Sequence, residues 1–222
     1  MDGKSADRDR LSKETVVERG LKLADEGGLE TLTIRKLAQS LGVTPMALYW
    51  HFRSKDELLE ALAERVWSEI DVSLDPEEPW ITQFRGMVES LVSVLRAHPT
   101  VADLLMHHGK RSASALRAME VALEVLRSAG FDPEYAAAIT RTALWTGLML
   151  VMNEPGAHPG RSAEEWDEIR RQDFVRLSLL PQARFPRVVE CAAPLSQCDD
   201  PEFHYRLGID MFVAGVEAVA PQ

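Results

Sequence analysis

The sequence is poor in cysteine and has no long apolar run, and each shortage excludes a class of protein. Two of its 222 residues are cysteines, Cys191 and Cys198, and neither has a Cys or His partner at metal-ligand spacing. Such isolated cysteines are typical of reduced thiols inside the cell. No stretch of about 18 uninterrupted apolar residues occurs, and the first ten residues alternate in charge where a signal peptide would be apolar. We therefore expect a cytoplasmic protein without membrane contact.

The short motifs of common enzyme classes are also missing. The sequence contains no glycine-rich phosphate loop, no Gly-x-Ser-x-Gly turn, no His-Glu-x-x-His zinc motif and no carboxylate pair in a clear acid–base setting. Neither an enzyme nor a cofactor is therefore predicted. The adjacent His107 and His108 are more typical of a surface loop than of a metal site, so no metal is predicted either.

Negative charge is absent from one segment of an otherwise acidic chain. The formal net charge is −10, yet the 25 residues 31–55 contain no Asp or Glu. This window carries four cations, Arg35, Lys36, Arg53 and Lys55, which leaves −14 on the remainder. Because phosphate binding needs local positive potential, the window is the candidate nucleic-acid surface. Residues 135–153 are acid-free too, but they are apolar rather than cationic.

Signals for helices recur along the chain, and no strand is predicted. Four N-caps fall within about 45 residues, at Ser12, Thr33, Thr44 and Ser54. Gly27 and Gly28 end the first helix, and Gly42 supplies the turn after the second. The fourth helix is expected to bury Leu58, Leu62, Val66 and Ile70.

A break at residues 75–79 opens a second, larger helical region. Apolar stripes predict helices from Trp80 to His98, from about Leu116 to Gly130, over 132–152 and over 202–219. A polar helix is expected over 163–180 and an irregular segment over 181–201. The 132–152 helix is apolar on every side and must be covered on all faces. Gly208 and Gly215 share a face of the last helix, where small residues let another helix approach.

Two of the short helices and the Gly42 turn have the arrangement of a helix-turn-helix unit, whose second helix lies in the major groove of DNA. Because that pattern alone is weak evidence for DNA binding, the chemistry of the exposed side chains must decide whether the unit binds DNA. Five residues are predicted to point away from the Leu37, Leu41, Val43, Leu48 and Phe52 core: Thr44, Met46, Ala47, Tyr49 and Trp50. Hydroxyls and amphipathic rings suit phosphates and sugars, and Met46 with Ala47 suits thymine methyl groups.

Residues 33–58, TIRKLAQSLGVTPMALYWHFRSKDEL, resemble the DNA-binding segment of the TetR family of bacterial transcriptional repressors. The resemblance implies an all-α fold, with an N-terminal three-helix helix-turn-helix DNA-binding domain and a larger helical C-terminal domain for ligand binding and dimerisation. We assign a disordered arm to 1–10, the DNA-binding domain to 11–56 and the regulatory domain to 57–222. The predicted contacts to operator DNA are Thr33, Arg35, Thr44, Pro45, Met46, Ala47, Tyr49, Trp50, His51 and Lys55.

The remainder resembles, more thinly, the regulatory part of tetracycline-responsive members of that family. This implies a homodimer, here expected through the 132–152 and 202–219 helices. It also implies an effector that enters beneath the fourth helix and changes the distance between the two DNA-binding domains of the dimer, residues 11–56 of each copy, which we call the DNA-reading heads. The predicted effector contacts are Trp67, Met87, Leu91, His107, Arg111, Ala122, Trp145 and Met149. The resemblance also implies that Asp71 lies late in the fourth helix, where the tetracycline-binding relative has a histidine. Asp71, Met87, Leu91 and Ala122 depart from the tetracycline-binding pattern, so a less polar pocket and a small, largely apolar effector are expected.

Two alternatives stay open from the sequence. Trp67, Met87, Trp145 and Met149 equally fit an ordinary helical core. The protein could also be a ligand-independent DNA-binding regulator, repressor or activator, that acts through protein partners. A filled interior would favour that hypothesis, whereas a connected cavity would favour ligand response.

Overall fold

The computed structural model describes residues 11–73, 75, 77–99, 104–105, 112–154, 163–196 and 200–221. Within these residues every regular element is a helix, which confirms the predicted all-α class. The chain divides into two compact units. The first holds the described residues up to Glu69 and those between 100 and 118, and the second holds residues 70–99 and those from Met119 onward.

The first unit is built from short helices whose starts are set by local capping. They are α1 (Lys13–Gly27), α2 (Ile34–Ser40), α3 (Pro45–Tyr49) and α4 (Lys55–Trp67), with a 3-10 turn at Leu29–Thr31. The hydroxyls of Ser12, Thr33, Thr44 and Ser54 each accept a hydrogen bond from the N–H three residues later, as predicted. Gly42 has φ +67°, a left-handed conformation that favours glycine and turns the chain between α2 and α3.

A small apolar core joins these helices. α1 packs on α2 and α4, and α2 packs on α3. Leu37, Leu48 and Phe52 are fully buried, as expected, whereas Leu41 and Val43 are half-buried. α1 and α4 approach closely at Gly20, where a Cβ would lie 3.1 Å from the Leu62 side chain. The core thus holds α3 through Leu48 on its inner side.

The prediction for the end of the fourth helix is wrong. α4 stops at Trp67, so Ile70 is buried beyond the helix and Asp71 is not part of it. The Ser68 N–H still makes the helical bond to the Glu64 carbonyl, but the next N–H, of Glu69, donates to the Val66 carbonyl three residues earlier, so the α-helical pattern ends there. Apolar spacing did not reveal this stop, since burial of Ile70 is compatible with either conformation.

The remaining described helices lie wholly or partly in the second unit. They are α5 (Trp80–Ala97), α6 (Ala113–Ser128), α7 (Pro133–Met152), α8 (Ala163–Ser178), α9 (Pro186–Glu190), α10 (Ala192–Ser196) and α11 (Pro201–Ala218). α6 starts within the first unit and continues into the second. α5 packs on α7 and α11, and α7 packs on α11, so these three helices form the core of the unit.

Two glycines set how closely the helices of this core approach. A Cβ on Gly147 of α7 would lie 3.2 Å from Leu95 of α5, and one on Gly208 of α11 would overlap Leu150 of α7. Gly208 therefore has the packing role expected of it. Gly215 does not have it within the part of the chain that the structure describes, because no described atom lies within 4 Å of the position of its Cβ.

The segment 181–201, predicted to be irregular, contains the short helices α9 and α10. Pro186 starts α9 at the first helical position, where its missing N–H is not needed and its fixed φ favours the helix. Both short helices pack on α8. A five-residue helix shows too little periodicity to be recognised from sequence, which explains the error.

The described residues of one chain do not cover α7 on all faces, contrary to the expectation from its sequence. Trp145, Met149 and Met152 are about half exposed. By length and composition alone α7 could cross a membrane, with a mean hydropathy of 1.2 and a third of its most apolar window buried. The core helix of a soluble protein passes the same test, and α7 packs on α5 and α11.

Candidate nucleic-acid interface

The outer face of α3 is open and apolar. Met46 is 68% exposed, Tyr49 49% and Trp50 86%. Burial of such large apolar side chains would lower the free energy of the folded protein, so their exposure is unusual. Leu48, on the opposite side of the same helix, is fully buried. The helix is therefore anchored from one side and presents its other side for contact with another molecule.

The two predicted threonine contacts also fix the helices that carry them. The Thr33 hydroxyl accepts a hydrogen bond from the Lys36 N–H at 3.1 Å, and the Thr44 hydroxyl accepts one from the Ala47 N–H at 3.4 Å. Both side chains are exposed. A hydroxyl that accepts through its oxygen keeps its own hydrogen to donate. Each threonine can therefore cap a helix and donate to a phosphate at the same time.

Positive charge surrounds α3. Arg35 in the first turn of α2 and Lys55, the first residue of α4, are both exposed. Lys36 instead turns back along its own unit, where its ammonium donates to the Thr31 hydroxyl at 3.1 Å. Arg53 is exposed between α3 and α4, and the sequence interpretation assigned it no contact. Its place in the acid-free window makes it a further cation of the candidate surface.

All ten predicted DNA contacts lie on α2, α3, the start of α4 or the residues that directly flank these helices. Eight are exposed, and Ala47 and His51 are half-buried. Both partly buried positions keep some accessible surface, as a close contact to DNA requires. The structure thus places the set on consecutive elements of one unit, with the aromatic and cationic members accessible to solvent.

The predicted effector contacts are not brought together in the same way. Trp67 is buried at the end of α4 in the first unit, and its indole N–H has no hydrogen-bond partner among the described residues. Met87, Leu91 and Ala122 are buried in the second unit. Residues His107 and Arg111, like the neighbouring His108, lie outside the described residues.

Trp145 and Met149 lie on the far side of α7 from this core. Leu91 faces Gly147, since a Cβ there would lie 3.4 Å from the Leu91 side chain. Positions two residues away from Gly147 point roughly in the opposite direction, because each helical residue turns by about 100°. Trp145 and Met149 instead line an apolar surface groove of about 300 Å³ with Thr146 and Leu150. Within one chain they do not share a site with Met87 and Leu91.

A second groove, of about 260 Å³, lies between α5 and α11 and is lined by paired charges. Arg85 donates to Asp210 at 2.6 Å and Arg96 to Glu202 at 2.7 Å. The Tyr205 hydroxyl donates to Glu154 at 2.8 Å, and burial together with this bond raises the pKa of Tyr205. Because these groups satisfy one another, the cluster ties α11 to its neighbours. Among the described residues no His, Cys, Asp and Glu side chains form a group that could hold a metal ion.

Comparison with known proteins identifies the family. Residues 16–62 match the family described as bacterial regulatory proteins, tetR family, and residues 73–220 match the tetracyclin repressor-like C-terminal domain. The chain belongs to the TetR family. It is therefore a DNA-binding transcription regulator and not an enzyme. The earlier resemblance is confirmed, and it extends over the regulatory domain.

Individual TetR proteins resemble the chain over most of its length. Tetracycline repressor protein class A from transposon 1721 of Escherichia coli is 34% identical over 148 residues, which cover 65% of this chain and 68% of that protein. ActR of Streptomyces coelicolor in complex with actinorhodin has a TM-score of 0.80 at 27% identity, over 96% of this chain and 99% of that chain. BioQ with its double-stranded DNA operator has a TM-score of 0.56 at 27% identity, over 83% and 99%.

Proposed function

We propose that the chain is a cytoplasmic, homodimeric TetR-family repressor that occupies a palindromic operator and is released by a small, largely apolar effector. In this proposal residues 11–56 read DNA, and residues 57–222 dimerise and respond to the effector. The observation that carries it is the open face of α3, on which Met46, Tyr49 and Trp50 are exposed within an acid-free, cationic segment.

The chemistry of that face suits a DNA groove. Tyr49, Thr33 and Thr44 can donate hydroxyl hydrogens to phosphates, and Arg35 can bind a phosphate or the edge of a guanine. Met46 and Ala47 can contact thymine methyl groups. Lys55 and His51 favour a phosphate near the N-terminus of α4, where the helix dipole adds to their attraction. The DNA-bound BioQ relative supports this use of the fold.

Homodimer formation is supported by two unpaired apolar stripes. On α7 the stripe advances in alternating steps of three and four residues: Tyr135, Ala138, Thr142, Trp145, Met149 and Met152. On α11 it follows Phe203, Leu207, Met211, Ala214 and Ala218, all exposed. Steps of three and four residues form the seam of packed helices, and α7 packs directly on α11. A second copy placed on a two-fold axis would cover both stripes in a four-helix bundle.

Such a dimer explains the preference for a palindrome. Two identical heads related by a two-fold axis read two half-sites of opposite orientation, about 34 Å apart for one turn of DNA. An effector that changes this separation lowers operator affinity without touching α3. The ligand-bound ActR relative supports effector response, and the buried apolar Met87, Leu91 and Ala122 favour an apolar ligand.

The proposal is tested by selecting fragments of the source genome that the purified chain retains, followed by footprinting of the recovered DNA. We expect one palindromic sequence, occupied by a dimer, and weaker binding to random duplex as salt rises. Trp50→Ala should reduce retention, whereas Leu179→Ala, at another highly exposed apolar position outside the DNA-binding segment, should not. Protein that ignores every duplex at low ionic strength would contradict the proposal.

A further inference from the structure

The carboxylate of Glu64 ties α4 to the first turn of α6. One oxygen accepts a hydrogen bond from the Ser114 hydroxyl at 2.7 Å, and the other accepts one from the Ser114 backbone N–H at 3.1 Å. Fifty positions separate the two residues along the chain, so this contact belongs to the tertiary structure. Ser112 completes the turn, because its hydroxyl accepts the Ala115 N–H at 3.2 Å and caps α6.

The electrostatic setting favours an ionised Glu64. Burial acts to raise its pKa, but hydrogen bonds from the Ser114 and Ser112 hydroxyls and the Ser114 N–H outweigh burial and lower the pKa. The carboxylate also lies at the N-terminus of a 16-residue helix, where free N–H groups and the helix dipole attract negative charge. The contact is therefore present at neutral pH.

The position of Glu64 links this contact to DNA reading. Lys55, proposed to contact DNA, begins the same helix nine residues earlier, about 14 Å along the axis. α1 packs on α4, and α2 and α3 follow through their own packing, so the orientation of the head depends on that of α4. α6 continues from the contact to Ser128, and its Val125 and Leu126 are buried within the second unit.

We propose that Glu64 is a positioning residue for operator binding, which holds α4 and the DNA-reading head in a fixed orientation through the first turn of α6. The inference rests on the proposed function, since a fixed orientation matters most where two heads of one dimer must reach two half-sites together. A loosened α4 spreads the heads over many separations. Fixing one separation upon binding costs conformational entropy, and this cost lowers the affinity for the full operator but not for a single half-site.

The test measures two affinities for each variant, one for the selected full operator and one for a duplex that carries a single half-site. Glu64→Ala is expected to weaken binding to the full operator about tenfold and to leave half-site binding unchanged. Glu60→Ala is the matched control, because Glu60 is an exposed acid on the same helix and its loss changes the charge equally. Glu64→Gln should restore part of the loss, since its amide oxygen can still accept from Ser114.

A second pair of measurements examines the contact without DNA. In Glu64→Ala the Ser114 amide should exchange with solvent at least tenfold faster than in the wild type. Ser114→Ala should add little to the operator defect of Glu64→Ala, because both variants remove the same interaction.

Several results would overturn the inference. Full-operator binding that is unchanged or tighter in Glu64→Ala would do so, as would equal losses on both duplexes, which indicate a generally damaged head. If the Ser114 amide exchanged equally slowly in Glu64→Ala and in the wild type, the proposed contact would not protect it in solution. A wild-type protein that binds no duplex would instead refute the proposed function, so the two failures are distinguishable.

Discussion

Two acid-free segments of this chain expose the same kinds of side chain, yet they are proposed to bind different partners. Residues 31–55 present Met46, Tyr49 and Trp50, and residues 135–153 present Tyr135, Trp145 and Met149. The first segment carries four cations, whereas Arg141 is the only cation of the second. Because exposed apolar surface is common to both, local charge separates a nucleic-acid surface from a protein interface.

The lengths of the helices support the same distinction. α3 has five residues and is anchored by Leu48, so its exposed surface is small and convex enough to enter a groove. α7 has 20 residues with an apolar stripe along its length, which suits another helix lying alongside. Exposure alone does not distinguish the two proposed partners, whereas charge and shape together favour DNA for α3 and another helix for α7.

Identical substitutions in the two segments should give the largest and most different effects. Met149→Asp is expected to raise the dimer dissociation constant roughly 100-fold or more, because a symmetric interface buries the unpaired carboxylate twice. Met46→Asp should leave the dimer intact and abolish operator binding, because its carboxylate would face phosphates. Sedimentation velocity and gel-shift titration measure the two properties. If the Met149→Asp protein stayed dimeric, or the Met46→Asp protein became monomeric, the assignment of α7 to the dimer and α3 to DNA would be contradicted.

The two exposed tyrosines provide a milder comparison. Tyr49→Ala should weaken binding to operator and random DNA alike by about tenfold, because a phosphate contact carries no sequence information. Tyr135→Ala should instead weaken the dimer several-fold through lost stripe contacts. Titrations of both DNA types and dilution of the DNA-free dimer provide the readouts. Equal DNA affinity for Tyr49→Ala and wild type would exclude Tyr49 from the contact surface.

The cations of the two segments should differ in their salt response. Lys55→Ala is expected to weaken DNA binding a few-fold and to reduce the slope of log affinity against log salt by about 0.9, the release of one counterion. Arg141→Ala should change neither quantity, although Arg141 is also exposed. The measurement is operator affinity at four or more salt concentrations. A slope that Lys55→Ala leaves unchanged would place Lys55 away from the phosphates.

The smallest effect is expected in tryptophan fluorescence. Trp50 should lose solvent contact on binding DNA, and Trp145 on dimerisation, so each emission should shift to shorter wavelength by a few nanometres. Trp50→Phe should remove the DNA-dependent shift, and Trp145→Phe the shift that depends on protein concentration. If Trp145→Phe also removed the response to DNA, the two surfaces could not be separate.

Much of the DNA-reading head could be predicted from sequence because its determinants are local. A cap such as Thr44 acts on the N–H three residues later, and Gly42 sets its own backbone conformation. Both follow from neighbours in the chain. The exposure of Trp50 was predictable for a related reason, since helical spacing already assigns the opposite face to Leu48 and Phe52.

The orientation of the predicted effector contacts could not be derived from the sequence in the same way. Trp145 and Met87 are both apolar residues on long helices, and the sequence does not show which face of α7 packs on α5. Gly147 decides this, because its missing side chain admits Leu91 and Leu95 and turns Trp145 outward. The end of α4 was likewise not visible in the apolar spacing, because the change from an i→i−4 to an i→i−3 hydrogen bond at Glu69 leaves Ile70 buried all the same.

The sequence by itself determined the helical class, the caps and turn of the head and the contrast between its cationic window and the acidic remainder. These features depend on interactions over a few residues or on composition alone. Only the tertiary structure decided which face of α7 stays exposed and that the Glu64 carboxylate accepts hydrogen bonds from Ser114. Such choices depend on free energies of packing and hydrogen bonding between segments far apart in the chain, which no local pattern records.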